Sequence, residues 1–234
     1  QAKLFEDDKE DVKLTAGIMW HQVERQSQEM GLKAIMTSFV PETEEKVELT
    51  KVEITNTSDQ PQTITSTVAI PMYARSASNI RDHRHVTSLL HRTFTVKNGI
   101  MIYPTLTFDE RGHNKNKIFY GALAKEEVNG EMVSPVSFCP VTEEFIGRGG
   151  NFENPYYVVK NQPLPYKAGE EVDGYETVAA IRFADCTLQP GETRTYIVAL
   201  GYGESEAEIT ELSKKYLIKK HFDKYLEETK AFWQ

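Results

Sequence analysis

The sequence lacks several features that mark large functional classes. It has only two cysteines, Cys139 and Cys186, which lie far apart and have no second cysteine or histidine pair at ligand spacing, so neither a disulfide framework nor a zinc site is predicted. No apolar run reaches the roughly 20 residues that cross a bilayer, and the acidic N-terminal segment does not resemble a signal peptide. We therefore expect a cytoplasmic protein with two buried thiols, no membrane partner and no metal or other cofactor.

Positive charge is also scarce. The chain has 35 acidic and 27 basic residues and a net charge of −8, which repels a phosphodiester backbone instead of releasing its counterions. Nucleic acid is therefore not an expected partner. No repeat of roughly 20 to 50 residues and no low-complexity linker divides the chain, and all-β chains of this length commonly form one domain.

The features that are present indicate β-strands. In residues 47–70, β-branched side chains alternate with polar ones on both sides of a loop of turn formers at 56–61. Asn98-Gly99, Asn129-Gly130 and Pro190-Gly191 are typical of tight turns between further strands. About ten strands are expected, and so many must curl or split into layers, which predicts a mainly β fold with a large two-sheet antiparallel sandwich. Besides 47–70, strands are predicted at 18–25, 32–39, 91–96, 100–104, 117–124, 176–183 and 193–200.

From Ser205 onward the apolar spacing becomes helical. Ser205 and Glu208 have the spacing of a capping box, and no Gly, Asn or Pro closes the last helix after Phe232 and Trp233. We expect a β domain over 1–204 and a helical linker over 205–234 that leads into another domain. The alternative is a C-terminal helix that folds back on its own sheet.

Two stretches without a strand prediction, 74–90 and 109–116, carry charged and titratable side chains. Arginine, histidine, aspartate and asparagine together are suited to sugar hydroxyls and oxyanions. His83 and His85 lack further ligands at a metal-binding spacing. Asp109 and Glu110 are poor as a glycosidase pair, because neighbours on a strand point to opposite faces. The simpler interpretation is a set of connections with solvated charges.

A glycine-rich loop at 145–151 reads FIGRGGN. Its backbone could form an anion-binding nest, but it lacks the lysine and hydroxyl of a P-loop, and most such loops are tight turns. No Gly-x-Ser-x-Gly elbow occurs either. The sequence therefore contains no complete catalytic constellation, and we expect no catalytic residue in this chain.

The order of several blocks resembles a known family. The blocks are VELTKVEITNTSDQPQTITST, LLHRTF, FDERGHNKNKIFYGAL, EEFIGRGGNFENP and IRFADCTLQPGETRTYIVALGYGES, followed by a long helical stretch. This succession is similar to the N-terminal supersandwich domain of glycoside hydrolase family 94, which contains cellobiose phosphorylase and related β-glucan phosphorylases. DERGHN and FIGRGGN favour the branch that resembles 1,2-β-oligoglucan phosphorylases.

The resemblance implies a galactose mutarotase-like supersandwich that supports an (α/α)₆ catalytic barrel of an inverting phosphorylase. The barrel would supply the aspartate general acid, and inorganic phosphate would be the co-substrate. The implied partners are this barrel and a β-glucan oligosaccharide, and a homodimer is left open. Clustering of basic residues in long loops leads us to expect ten residues at the sugar channel or the domain junction: Arg81, His83, Arg84, His91, Arg92, Asp109, Arg111, His113, Arg148 and Asn151.

Two other functions stay open on the sequence. A free-standing carbohydrate-binding module would bind glucans through exposed aromatic rings, for which Tyr156, Tyr157 and Tyr103 are candidates. An aldose epimerase would use a histidine acid and a glutamate base in one cavity, and this alternative rests on analogy of fold alone.

Overall fold

The computed structural model describes residues 10–74, 88–109 and 112–233, with side chains for 11–74, 88–106 and 115–233. The strands are β1 (Glu10–Gly17), β2 (Trp20–Ser27), β3 (Leu32–Phe39), β4 (Lys46–Asn56), β5 (Gln62–Ile64), β6 (Thr67–Met72), β7 (His91–Val96), β8 (Gly99–Pro104), β9 (Leu106–Asp109), β10 (Gly112–Lys115), β11 (Phe119–Val128), β12 (Glu131–Val133), β13 (Ser137–Val141), β14 (Glu171–Asp173), β15 (Thr177–Arg182), β16 (Cys186–Leu188) and β17 (Thr193–Gly203). The helices are α1 (Thr142–Ile146), α2 (Tyr156–Val159), α3 (Glu206–Tyr216) and α4 (Lys219–Trp233).

One large antiparallel sheet runs through the molecule. Its strand order is β1-β2-β3-β4-β17-β11-β8-β7-β14, and β12 pairs with β11. At its centre Ala199 of β17 lies opposite Leu49 of β4 and Leu123 of β11. A second sheet has the order β13-β15-β6, and the pairs β5-β16 and β9-β10 complete the strands. This layered, mainly antiparallel arrangement is the sandwich that the strand and turn pattern predicted.

Both faces of the large sheet are buried at its centre, which explains the uninterrupted apolar runs 196–199 of β17 and 100–102 of β8. Because strand side chains alternate, Tyr196 and Val198 point toward the second sheet and pack with Ile181. Ile197 and Ala199 point the other way, into a core that they share with the helices. Two cores therefore lie on opposite sides of one sheet, as in other layered domains.

The two long helices fold back over the large sheet. The Ser205 hydroxyl accepts a hydrogen bond from the Glu208 amide at 3.2 Å, so the predicted cap is confirmed. The Phe222 ring of α4 meets the Phe39 ring of β3 edge-on, with centroids 5.0 Å apart. The packing agrees with the alternative prediction of a C-terminal helix that folds back on its own sheet. A continuation into a catalytic barrel stays a prediction.

The helix α3 approaches the sheet closely because two glycines face it. Gly121 and Gly201 lie directly opposite each other on β11 and β17. A Cβ atom on Gly121 would lie 2.4 Å from Cγ2 of Ile209, and one on Gly201 would lie 2.7 Å from Cδ1 of Leu212. The absence of side chains at these two positions therefore lets α3 pack directly against the two strands.

Most predicted strands and turns agree with the structure, but the described residues form seventeen strands instead of about ten, and β1 and β13 lie where none was predicted. The bounds 32–39 and 91–96 are those of β3 and β7, and Asn129 and Gly130 have the positive φ angles of a tight hairpin turn, 53° and 84°. The expectation that 109–116 forms no strand is wrong, because β9 and β10 pair with Asp109 opposite Gly112. The stretch 74–90 lies mostly outside the described residues.

Candidate functional site

The predicted site residues are distributed over several parts of the chain. Arg92, Arg148 and Asn151 lie at or near the surface, and His91 lies in the interior. Asp109 and His113 are on β9 and β10, where the structure describes the backbone only. The other predicted residues lie outside the described ranges: Arg81, His83, Arg84 and Arg111.

His91 is fully buried at the start of β7. Its Nε2 atom lies 3.2 Å from the carbonyl oxygen of Ala74, and its ring meets the Tyr73 ring edge-on at 6.3 Å. Burial lowers the pKa of His91, because the charged ring loses hydration, and the contact with Ala74 only partly offsets this. The ring therefore packs inside the domain and does not face an open cleft.

Two clefts lie on opposite faces of β14, at the edge of the large sheet. Val172 of β14 pairs with Thr93 of β7, and Asp173 pairs with Arg92. Because paired residues share a face and successive residues alternate, Glu171 and Asp173 point to one side of the sheet and Val172 to the other. The same short strand therefore contributes side chains to both clefts.

The first, which we call the arginine cleft, has a volume of about 470 Å³. The Nε atom of Arg92 lies 3.3 Å from a carboxylate oxygen of Asp173, and its Nη1 donates to the His91 carbonyl oxygen at 2.9 Å. Tyr103 stacks at a tilt on Phe119, with ring centroids 4.9 Å apart. The cleft thus combines an aromatic wall with a cation that already has partners. Its lining residues are Arg92, Thr93, Phe94, Tyr103, Phe119, Glu171, Asp173 and Glu206.

The second, which we call the tyrosine cleft, has a volume of about 600 Å³. Tyrosine rings and carboxylates dominate its lining, and Val141 and Val172 add apolar surface. Arg148 is the predicted site residue that it includes. The lining residues are Val141, Glu143, Glu144, Gly147, Arg148, Tyr156, Tyr157, Tyr166, Val172 and Tyr175.

A buried aromatic anchor holds the tyrosine cleft in place. Phe145 of α1 is fully buried among Cys139, Leu164 and Val178, and this packing fixes the helix that carries Glu143 and Glu144. Gly147, with φ of 82°, follows α1, and a Cβ there would lie only 2.8 Å from the Cβ of Tyr156. The loop after α1 therefore lies directly against α2.

A hydrogen bond orders the carboxylate in this cleft. The Tyr166 hydroxyl donates to Oε2 of Glu144 at 3.0 Å. Burial first, and then the adjacent Glu144 carboxylate, raise the pKa of Tyr166 to about 12. The phenol therefore keeps its proton at neutral pH and remains a donor that orients Glu144.

The thiol beneath the cleft is not a nucleophile. Cys139 is fully buried, and its Sγ donates to the Val141 carbonyl oxygen at 3.5 Å. Burial raises the pKa of this thiol to about 12, so it is protonated at neutral pH, and thiolate is the reactive form. The prediction of a buried thiol is confirmed at this position, whereas the second cysteine, Cys186, is only partly buried.

The glycine-rich loop 145–151 uses its own polar groups. The Gly150 amide donates to the Gly147 carbonyl oxygen at 2.9 Å. Oδ1 of Asn151 accepts from the amides of Glu153 and Asn154 at 2.9 and 3.1 Å. The loop is thus a turn, as the simpler interpretation expected, and Asn151 stabilises it.

The tyrosine cleft brings together residues that the sequence pattern did not assign to one site. Tyr156 and Tyr157 were candidates, and their rings form an edge-on pair at 5.4 Å. Tyr166 reaches the cleft because it pairs with Phe138 across an isolated bridge, and Tyr175 follows β14. Neither position has a periodic signal in the sequence. The acidic pair Glu143-Glu144 precedes the glycine-rich loop and was the available clue.

Two further features are absent from the part of the chain that the structure describes. Within it, no group of three or more His, Cys, Asp or Glu residues is arranged to hold a metal ion. No helix there is both long and apolar enough to cross a membrane.

Comparison with protein families gives one match over most of the chain. The model described as "Glycosyl hydrolase 94, supersandwich domain" matches residues 9–218. No curated protein sequence matches the chain.

The solved structures that match this chain are larger proteins with little sequence identity to it. A polysaccharide lyase is 9% identical with a TM-score of 0.45, over 80% of this chain and 22% of that one. A GH36 α-galactosidase, AgaA from Geobacillus stearothermophilus, solved with 1-deoxygalactonojirimycin, is 12% identical with a TM-score of 0.35, over 89% and 30%. The structure of the same enzyme with raffinose is 12% identical with a TM-score of 0.33, over 84% of this chain and 27% of that one. The chain thus spans less than a third of these proteins.

Proposed function

We propose, since the chain belongs to the supersandwich domains of glycosyl hydrolase 94, that it is the non-catalytic supporting domain of an inverting β-glucan phosphorylase. In this proposal an (α/α)₆ barrel elsewhere in the polypeptide carries the aspartate general acid, and inorganic phosphate is the co-substrate. The domain supports the barrel and borders the oligosaccharide site. The proposed setting is the cytoplasm, and a homodimer is compatible with it.

The observation that best supports this proposal is the pair of clefts on β14. Both combine aromatic rings with carboxylates and one arginine, Arg92 in the first and Arg148 in the second. A sugar ring has apolar C–H faces that stack on aromatic rings and hydroxyls that bind carboxylates and guanidinium groups. An edge with these groups is chemically suited to border a glucan.

Glucose 1-phosphate release tests the proposal. β-Linked gluco-oligosaccharides and inorganic phosphate are incubated with the isolated 234-residue chain and, separately, with the polypeptide of its full reading frame. We expect phosphate-dependent release by the full polypeptide and none above buffer by the isolated chain. Turnover by the isolated chain, or its absence in the full polypeptide with every glucan linkage, would contradict the proposal.

The epimerase alternative gains no support from the clefts. That reaction requires a histidine acid beside a glutamate base. Among the residues described, no histidine lines either cleft, and His91 is buried against Ala74. The carbohydrate-binding alternative does have a specific observation in its favour, which is the exposed aromatic surface of the tyrosine cleft.

A further inference from the structure

Two of the four tyrosine rings in the tyrosine cleft are exposed to solvent. Tyr156 is 43% exposed and Tyr175 54% exposed, and both line the same cleft of about 600 Å³. This volume falls within the roughly 300 to 1,000 Å³ of small-molecule sites. The cleft therefore has room for a ligand and two flat surfaces on which to hold it.

Contacts within the domain hold part of the cleft in place before any ligand arrives. Phe145 anchors α1 in the interior, and Phe138 and Tyr166 exchange two backbone hydrogen bonds, of 2.9 and 3.0 Å. Tyr166 then fixes the Glu144 carboxylate. A site whose side chains are already ordered loses less entropy when a ligand binds.

The polar groups favour a neutral polyol over an anion. Glu143 and Glu144 provide two carboxylates, and Arg148 provides one guanidinium group. Two negative charges against one positive charge oppose a phosphate or an acidic sugar, whereas carboxylates and a guanidinium group together bind hydroxyls as acceptors and donors. The chemistry of the lining thus selects an uncharged sugar.

We infer that the tyrosine cleft is a binding site for a β-glucosyl unit, which stacks on Tyr156 and Tyr175 while Glu144 and Arg148 bind its hydroxyls. The equatorial hydroxyls of β-glucose leave both ring faces apolar, which suits stacking on exposed aromatic rings. The choice of glucose rests on the proposed function. The site itself is complete in this chain and binds without a catalytic barrel.

Titration of the isolated chain tests the site. β-1,2-, β-1,3- and β-1,4-linked glucotrioses are added at millimolar concentration, and binding is followed by calorimetry. We expect saturable binding of at least one trisaccharide by the wild type. Tyr156→Ala and Tyr175→Ala should each weaken it about tenfold through loss of stacking, whereas Tyr156→Phe should retain it because the ring remains.

The matched control is Tyr202→Ala. Tyr202 is 46% exposed, lies on β17 and does not line the tyrosine cleft, so its loss should leave the affinity unchanged. Absence of binding by the folded wild type overturns the inference, as does an equal loss in the Tyr156→Ala and Tyr202→Ala variants. Circular dichroism verifies the fold of each variant. Failure here leaves glucose 1-phosphate release by the full polypeptide intact, so the two proposals fail separately.

Discussion

The two clefts on β14 share a strand but differ in what their side chains already contact. In the arginine cleft the cation pairs with Asp173 at 3.3 Å and with a backbone carbonyl, so its main polar group is occupied within the domain. In the tyrosine cleft a carboxylate is oriented by Tyr166, and two rings face outward. This difference is the reason for assigning the proposed sugar site to the tyrosine cleft, where exposed rings lie beside an ordered acceptor, and not to the more charged arginine cleft.

The largest expected effect concerns the anchor of the tyrosine cleft. Phe145→Ala removes a fully buried ring and should lower the free energy of unfolding by about 3–5 kcal/mol. Chemical denaturation followed by circular dichroism measures it. Phe152, whose ring is 6.4 Å away and 39% exposed, is the matched control, and Phe152→Ala should cost about 1 kcal/mol or less. Equal losses in both variants would contradict the anchoring role.

A pH dependence should follow from the buried ring of His91. The pKa of His91 lies below its ordinary value of 6.5 because the ring is buried, so as pH falls through 6.5 the unfolded chain binds a proton that the folded chain does not. The stability that the neutral ring contributes is therefore complete above pH 6.5 and is lost as the pH falls toward the lowered pKa.

The measurement is the free energy of unfolding of the wild type and of His91→Gln between pH 8 and pH 5.5, values that span the titration of an ordinary histidine, about 6.5. The wild type should lose more stability on acidification than the variant does. His21→Gln, on the exposed side of β2, is the control and should keep the wild-type profile. Parallel profiles for the wild type and His91→Gln would show that the ring does not titrate as described.

The hydrogen bond in the tyrosine cleft should have a smaller effect. Tyr166→Phe removes the donor to Glu144 and should cost about 0.5–1.5 kcal/mol. Tyr175→Phe, at an exposed ring of the same cleft, should be nearly neutral. Thermal unfolding of the two variants side by side gives the difference, and a Tyr175→Phe loss as large as that of Tyr166→Phe would remove the distinction between them.

The ion pair of the arginine cleft should matter least. Arg92 and Asp173 are both partly exposed, and surface pairs of this kind contribute about 0–1 kcal/mol. Asp173→Asn should therefore change the free energy of unfolding by less than about 1 kcal/mol at moderate salt. A loss of several kcal/mol would mean that this pair stabilises the edge of the sheet far more than a surface ion pair does.

Alternation and turn residues predicted much of the layered fold. The strand 32–39 and the Asn129-Gly130 turn follow from local chemistry, and the structure has both. The side chains of β7 do alternate between buried and partly exposed, but those that face inward are the polar ones, His91, Thr93 and Thr95. A buried face of polar side chains was not expected. Their burial is tolerated because each finds a partner, such as the Thr177 hydroxyl at 2.9 Å from that of Thr93.

The tyrosine cleft was only partly predictable. Tyr156 and Tyr157 are adjacent in the sequence and drew attention as aromatic candidates, and Arg148 was expected in a site. Tyr166 and Tyr175 join them only through the bridge to Phe138 and through the pairing of β14 with β7. Such contacts between residues distant in sequence depend on the tertiary arrangement, which periodicity does not encode. His91 was expected at the sugar channel or the domain junction because its neighbours are basic, and the structure buries its ring against Ala74.

The most direct test of this account is to map a bound β-glucan on the isotope-labelled chain by NMR. We predict that the backbone amides of Glu144, Gly147, Tyr156 and Tyr175 shift on titration with the glucotriose that binds, while those of Arg92 and Asp173 shift far less. Shifts centred on the arginine cleft, or on neither cleft, would contradict the assignment of the tyrosine cleft as the sugar-binding edge of the domain.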